Sequence, residues 1–203
     1  MSKGTLFIIS GPAGSGKGTV VKALIEKHPE LVLSISATTR KPRLGEEHGK
    51  HYFFITQSEF EERIARGEML EYNHFTGNGN YYGTPKKEVE LALADGKDVI
   101  LEIEVNGAMQ VKDKMDSAVT IMLTPPNGTV LESRLVGRGT ESAEEICKRL
   151  ATAKEELKLL PKYDYAVVNE DGKIEECADL IYSIIVAERH KTAKTKSIIE
   201  NFR

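Results

Sequence analysis

Four compact apolar runs punctuate the chain, and turn-forming residues stop most of them. Leu6–Ile9 is halted by Ser10-Gly11-Pro12. A second run, Asp98–Glu104, carries Val99, Ile100, Leu101 and Ile103; a third, Ala118–Leu123, ends at Thr124-Pro125-Pro126. The fourth is Tyr165–Asn169. Runs this short and this continuously apolar predict strands buried on both faces. Between them the spacing turns helical. Val20, Val21, Leu24 and Ile25 lead to a stop near His28-Pro29, and Pro85–Ala94 reads as a further helix. Ile174, Cys177, Leu180, Ile181, Ile184 and Ile185 give the last helix one apolar face. Strands alternating with amphipathic helices predict an α/β fold, a parallel sheet flanked by helices.

Two stretches break the alternation. Residues 37–84 are rich in Thr, Arg, Tyr, Gly and His. They predict short strands and one helix, entered through the capping box Thr56-Gln57-Ser58-Glu59. Residues 137–142 form a glycine-flanked arginine turn before another helix. Insertions at the C-terminal ends of strands are where open α/β sheets bind ligands. The polar, basic tail after Arg189 reads as a fraying end.

The bulk properties narrow the partners more than the fold. The 203 residues fit one domain, and a net charge of −3 supplies no broad basic field for nucleic acid or an acidic membrane. An anion must therefore be met by a local cluster of donors. Cys147 and Cys177 form no metal-ligand or CxxC spacing, which suits a reducing compartment. The first apolar run is too short for a signal peptide, and none approaches the ~20 residues of a membrane span. The expectation is a cytoplasmic protein without nucleic-acid or membrane partners; a homo-oligomer is left open. The histidines show no ligand spacing, so no metal is assigned to the protein itself.

Gly11-Pro12-Ala13-Gly14-Ser15-Gly16-Lys17-Gly18-Thr19 stands between the first strand and the first helix. Glycines there let backbone N–H groups turn inward around a polyphosphate, the helix N-terminus adds partial positive charge, and Lys17 reaches the β and γ phosphates. The usual P-loop has Ser or Thr after the lysine, where this chain has Gly18. Without that hydroxyl, Mg2+ is expected to arrive with ATP, held mainly by phosphates and water.

The acceptor is named by longer motifs. Ser36-Ala37-Thr38-Thr39-Arg40-Lys41-Pro42-Arg43, Gly45-Glu46, Gly49-Lys50-His51-Tyr52-Phe53-Phe54, Glu71-Tyr72 and Asn80-Tyr81-Tyr82-Gly83-Thr84 follow in order. With the phosphate loop, Gly137-Arg138-Gly139-Thr140 and Tyr165–Asn169, they resemble the guanylate kinase family from about residue 4 to 190. The resemblance implies a P-loop NTPase-type sheet (about 4–36, 85–136 and 160–190), a GMP-binding β-rich insertion (about 37–84) and a helical lid (about 137–159). It implies transfer of the γ-phosphoryl group of ATP to GMP, and to dGMP, in purine nucleotide metabolism.

Residue by residue, the resemblance makes Glu71 the acceptor for guanine N1–H and N2–H2, with Ser36 and Thr84 donating to O6. Adenine reverses that pattern. Arg40, Arg43, Tyr52 and Tyr82 correspond to the clamp on the GMP phosphate. Glu102 and Glu104 border the GMP and Mg2+ region, both glutamates where the family commonly carries aspartate; the strand pattern puts both acids on one face. Arg134, Arg138 and Arg149 match lid and post-lid arginines. Lys17, Arg138, Arg149 and Arg40 are then the catalytic cations, Arg134 an ATP contact, and Asn169 a residue near the adenine. Two rivals remain: another P-loop small-molecule kinase, which has no use for Ser36, Glu71 and Thr84 together, and a guanylate-kinase-like phosphopeptide-binding module, which has no use for an intact phosphate loop.

Overall fold

The computed structural model describes residues 3–75, 79–137 and 142–192. The predicted core strands are β1 (Leu6–Ser10), β7 (Val99–Glu102), β8 (Val119–Thr124) and β9 (Tyr165–Val168). With the two-residue β2 (Val32–Leu33) they form a wholly parallel sheet of order β2-β7-β1-β8-β9. Alternation along β1 divides the core. Phe7 and Ile9 face α1 (Lys17–Lys27) and α7 (Ile174–Arg189), while Leu6 and Ile8 face α3 (Lys86–Ala94) and α4 (Val105–Lys114). A sheet covered on both faces needs continuously apolar strands, and the burial of all five β1 residues meets that need.

The last helix departs from the sequence pattern at one position. Cys177, Ile181 and Ile185 are buried, but Leu180 is 51% exposed. Positions 177, 181 and 185 continue one stripe at helical spacing, which 180 misses. Arg189, at the end of α7, donates from Nε to Asp98 Oδ2 at 2.6 Å, and Asp98 Oδ1 accepts from the Thr5 amide at 2.7 Å. This tie holds the helix to the N-terminal edge of the sheet.

Residues 37–85 build a separate four-stranded sheet of order β4-β3-β6-β5, from β3 (Ala37–Thr38), β4 (Phe53–Phe54), β5 (Met69–Phe75) and β6 (Asn80–Pro85). Its small core packs Phe60 of α2 (Gln57–Ala65) on Ala37 and Met69. Thr56 caps α2 by accepting from the Glu59 amide at 3.2 Å, while the Glu59 carboxylate pairs with Arg63. The insertion is fastened to the core through α4. Gln110 exchanges two hydrogen bonds with the Tyr72 backbone (3.1 and 2.9 Å), Asn106 donates to Asn73 Oδ1 at 2.8 Å, and Lys114 donates to Leu70 O at 2.7 Å.

A helix pair, α5 (Gly128–Val136) and α6 (Ala143–Leu157), joins through Leu131, Leu135 and Ala153. Ser142 and Glu145 close a reciprocal capping box at the start of α6. The arginine turn between these helices, Arg138 included, lies outside the described residues, as does the tail beyond residue 192.

Candidate active site

The phosphate loop owes its shape to backbone. Gly16 is the N-cap of α1 with φ 89°, a left-handed conformation that L side chains rarely adopt. A β-carbon there would also lie 2.4 Å from Asn169 Nδ2. No side chain caps α1 and no acid stands in its first turn, so the N–H groups at its start are left for an anion. Lys17 Nζ curls back to Gly11 O (2.5 Å) and Pro12 O (3.3 Å), which holds the cation over the loop.

A second layer fixes the loop from behind. Asn169, at the end of β9, donates from Nδ2 to Ser15 O at 2.8 Å. Arg134 of α5 donates to the carbonyls of Ser15 (3.3 Å) and Asn169 (2.8 Å) and pairs with Asp171 at 2.6 Å. Gly14, Gly16, Thr19, Arg134 and Asn169 border a cleft of about 240 Å³ on this side.

Across the C-terminal ends of β1 and β7 opens the larger cavity, about 650 Å³. Lys17, Ser36, Arg43, Tyr52, Glu71 and Tyr82 line it; so do Glu102, Glu104 and Arg149, the last from α6. The structure thus gathers residues from the core, the insertion and the helix pair around one volume. One sequence expectation is corrected in detail. Strand β7 ends at Glu102, and Glu104 occupies the N-cap of α4 rather than a strand position. Both acids still line the cavity, because the turn into α4 begins there. Thr84 is fully buried, and its hydroxyl donates to Glu71 Oε1 at 2.8 Å. Its single proton is thereby committed to the carboxylate.

Glu71 is only 3% exposed, and burial pushes its carboxyl up to about 7, although the hydroxyl and N–H of Thr84 draw it back. Burial also raises Glu102, against the pull of Lys17 and with the push of Glu104. Arg40 does not line the cavity. Its guanidinium makes two 2.6 Å bonds to Glu46 and lies over the rings of Tyr52 and Phe54. Glu46 also accepts from the Arg43 amide at 2.7 Å, and Arg40 holds its carboxyl well down, at about 2.

The comparisons bear on the whole chain. The guanylate kinase family model matches residues 3–188. A guanylate kinase of Lactococcus lactis is 50% identical over 200 residues, covering 98% of this chain and 94% of that protein. One from Clostridioides difficile is 47% identical over 204 residues, covering 100% and 98%. The chain belongs to the guanylate kinase family. Among solved structures, guanylate kinase from Anaplasma phagocytophilum superposes with a TM-score of 0.75 at 35% identity, over 95% of this chain and 90% of that one.

Within this guanylate kinase fold, sequence reasoning passed over three residues. Glu46 was visible in the Gly45-Glu46 motif but carried no assigned role. Glu156, on α6, is near enough to Glu104 and Lys17 to feel both charges, and burial with Glu104 raises it to about 7; nothing in local spacing marks it. Gly107, on α4, lies against Glu71, and only the packing reveals that.

Proposed function

We propose that the 650 Å³ cavity is where phosphoryl transfer occurs, with Glu71 reading guanine and Lys17 and Arg149 meeting the charge of the moving group. The reaction is that of the family: ATP and GMP give ADP and GDP, as full-length kinship to guanylate kinases at close to half identity implies. One observation carries the residue assignment. A buried carboxylate, one oxygen held by Thr84, lines the same cavity as Lys17. A carboxylate accepts from the paired N1–H and N2–H2 of guanine, which adenine lacks.

Arg43, Tyr52 and Tyr82 serve as donors to the GMP phosphate, and Arg40 stiffens that clamp through Glu46 and Tyr52. Arg138 and Arg149 approach the γ-phosphate as the helix pair closes, excluding water that would otherwise hydrolyse ATP. Positioned cations suffice here, because phosphoryl transfer needs electrostatic stabilisation more than a strong base. Mg2+ enters with ATP. Glu102 would hold water on that ion: its carboxylate stands beside the first turn of α1, where a β-carbon on Gly18 would lie 3.4 Å from its Oε1. When bound, the ion would neutralise phosphate charge. Ser15, Arg134 and Asn169 line or brace the ATP side. No helix among the described residues is long and apolar enough to cross a membrane, and Cys147 and Cys177 are both free thiols, which suits a cytoplasmic enzyme.

ADP release from MgATP is the test, with GMP, dGMP, AMP, UMP, CMP or no acceptor. Turnover is expected with GMP and dGMP alone. Turnover with AMP would remove the guanine role of Glu71, and ATP binding without any turnover would favour a phosphopeptide-binding module.

A further inference from the structure

Glycine at position 107 has no backbone justification. Its φ lies outside the left-handed region, and it sits in the first turn of α4, where alanine is the stronger helix former. The reason lies across the interface. A β-carbon at 107 would fall 2.5 Å from Glu71 Oε2, 3.1 Å from its Cδ and 3.4 Å from its Cγ. The other carboxylate oxygen is already taken by Thr84.

The backbone of α4 cannot retreat to relieve such a clash. Asn106, Gln110 and Lys114, spaced along one helix face, bond to Asn73, Tyr72 and Leu70 on β5, on both sides of Glu71. What can move is the far end of the Glu71 side chain. A methyl at 107 would therefore displace the carboxylate while leaving the interface intact. Glycine also lets the carboxylate rest on the first turn of a helix, whose partial positive charge favours the ionised form that guanine needs.

We propose that Gly107 is a specificity-determining position, a positioning residue that sets where the Glu71 carboxylate presents itself to the guanine edge of GMP. This rests on the reading of Glu71 as the guanine acceptor, and the experiment separates the two. KM for GMP, KM for ATP and Tm are measured for wild type, G107A, E71A and E71A/G107A. G107A is expected to raise KM for GMP about tenfold to a hundredfold, with KM for ATP within about twofold and Tm unchanged or slightly raised. In the E71A background, where the methyl meets nothing, G107A is expected to change KM for GMP by less than about twofold.

If E71A itself leaves KM for GMP unmoved, the Glu71 reading fails and this proposal with it. If E71A raises it and G107A does not, Glu71 stands and Gly107 is mere packing. Equal effects of G107A in both backgrounds, or an equal rise in KM for ATP, also overturn the proposal. Should G107A fail to fold, recovery of folded protein in E71A/G107A supports the clash with Glu71, and no recovery overturns it.

Discussion

On the proposed assignment, the two halves of the candidate active site recognise their ligands by different means. On the ATP side the shape is backbone: a left-handed Gly16, uncapped N–H groups and carbonyls braced by Arg134 and Asn169. On the GMP side the donors and acceptors are side chains, held by other side chains: Glu71 by Thr84, and Arg40 by Glu46 and two aromatic rings. A polyphosphate looks the same on every nucleoside triphosphate, so a cradle of amides suffices. A guanine edge has to be told from an adenine edge, and only oriented side chains do that. The teaching of the contrast is that the ATP side should tolerate side-chain changes, its lysine apart, whereas the GMP side should fail through second-layer partners.

The sharpest break in that contrast is Lys17, a side chain on the backbone-built side. Lys17→Ala is expected to lower kcat about 10²- to 10³-fold, measured at saturating GMP, with little change in Tm. Next comes Glu71→Gln, expected to raise KM for GMP about tenfold to a hundredfold while sparing KM for ATP. The same variant carries a pH signature. The wild-type kcat/KM for GMP should fall as pH drops through about 7, where the carboxyl gains its proton, and that limb should be missing in Glu71→Gln.

Stability runs the other way. Unfolded, the Glu71 carboxyl releases its proton near 4.5; folded, near 7; so the free enzyme loses stability as pH rises between those values. By pH 8 the cost is about 3 kcal/mol, and Glu71→Gln should melt several degrees above wild type there.

Smaller effects separate the two sides further. Glu46→Ala frees Arg40 and unties the Arg43 amide, and about a tenfold rise in KM for GMP is expected, with KM for ATP unmoved. Asp171→Ala removes a pair whose acid is largely exposed, and steady-state titration should find KM for ATP raised no more than about twofold to fivefold. If Asp171→Ala proved the more damaging of these two, the contrast would be wrong.

Legibility in the sequence followed the same division. The core strands and the phosphate loop announce themselves through local signals: β-branched runs, glycine spacing and helical periodicity, all within a few residues. The insertion is harder, because β3 and β4 are two residues each and leave no alternation to read. The end of β7 was misread for a related reason. Ile103 continues the apolar run past Glu102, but the chain turns there to start α4, and periodicity does not register a turn without glycine or proline. The second-layer contacts were illegible in principle. Thr84 lies 13 residues from Glu71, and Gly107 lies further still; no spacing rule connects them.

The uncapped start of α1 has a consequence for the life of the protein outside catalysis. Helix α6 completes its first turn with its own residues, Ser142 and Glu145, whereas α1, like α3, α4 and α7, has no side-chain cap. On the proposed reading the nucleotide would complete the first turn of α1, so ATP would be a folding partner as well as a reactant. At a hundredfold excess over Kd it adds about 2.7 kcal/mol to the folded state. In a chain of this size that is roughly 5–11 °C of melting temperature. Enzyme stripped of ATP would then melt lower, and be easier to degrade, than the ATP-bound form.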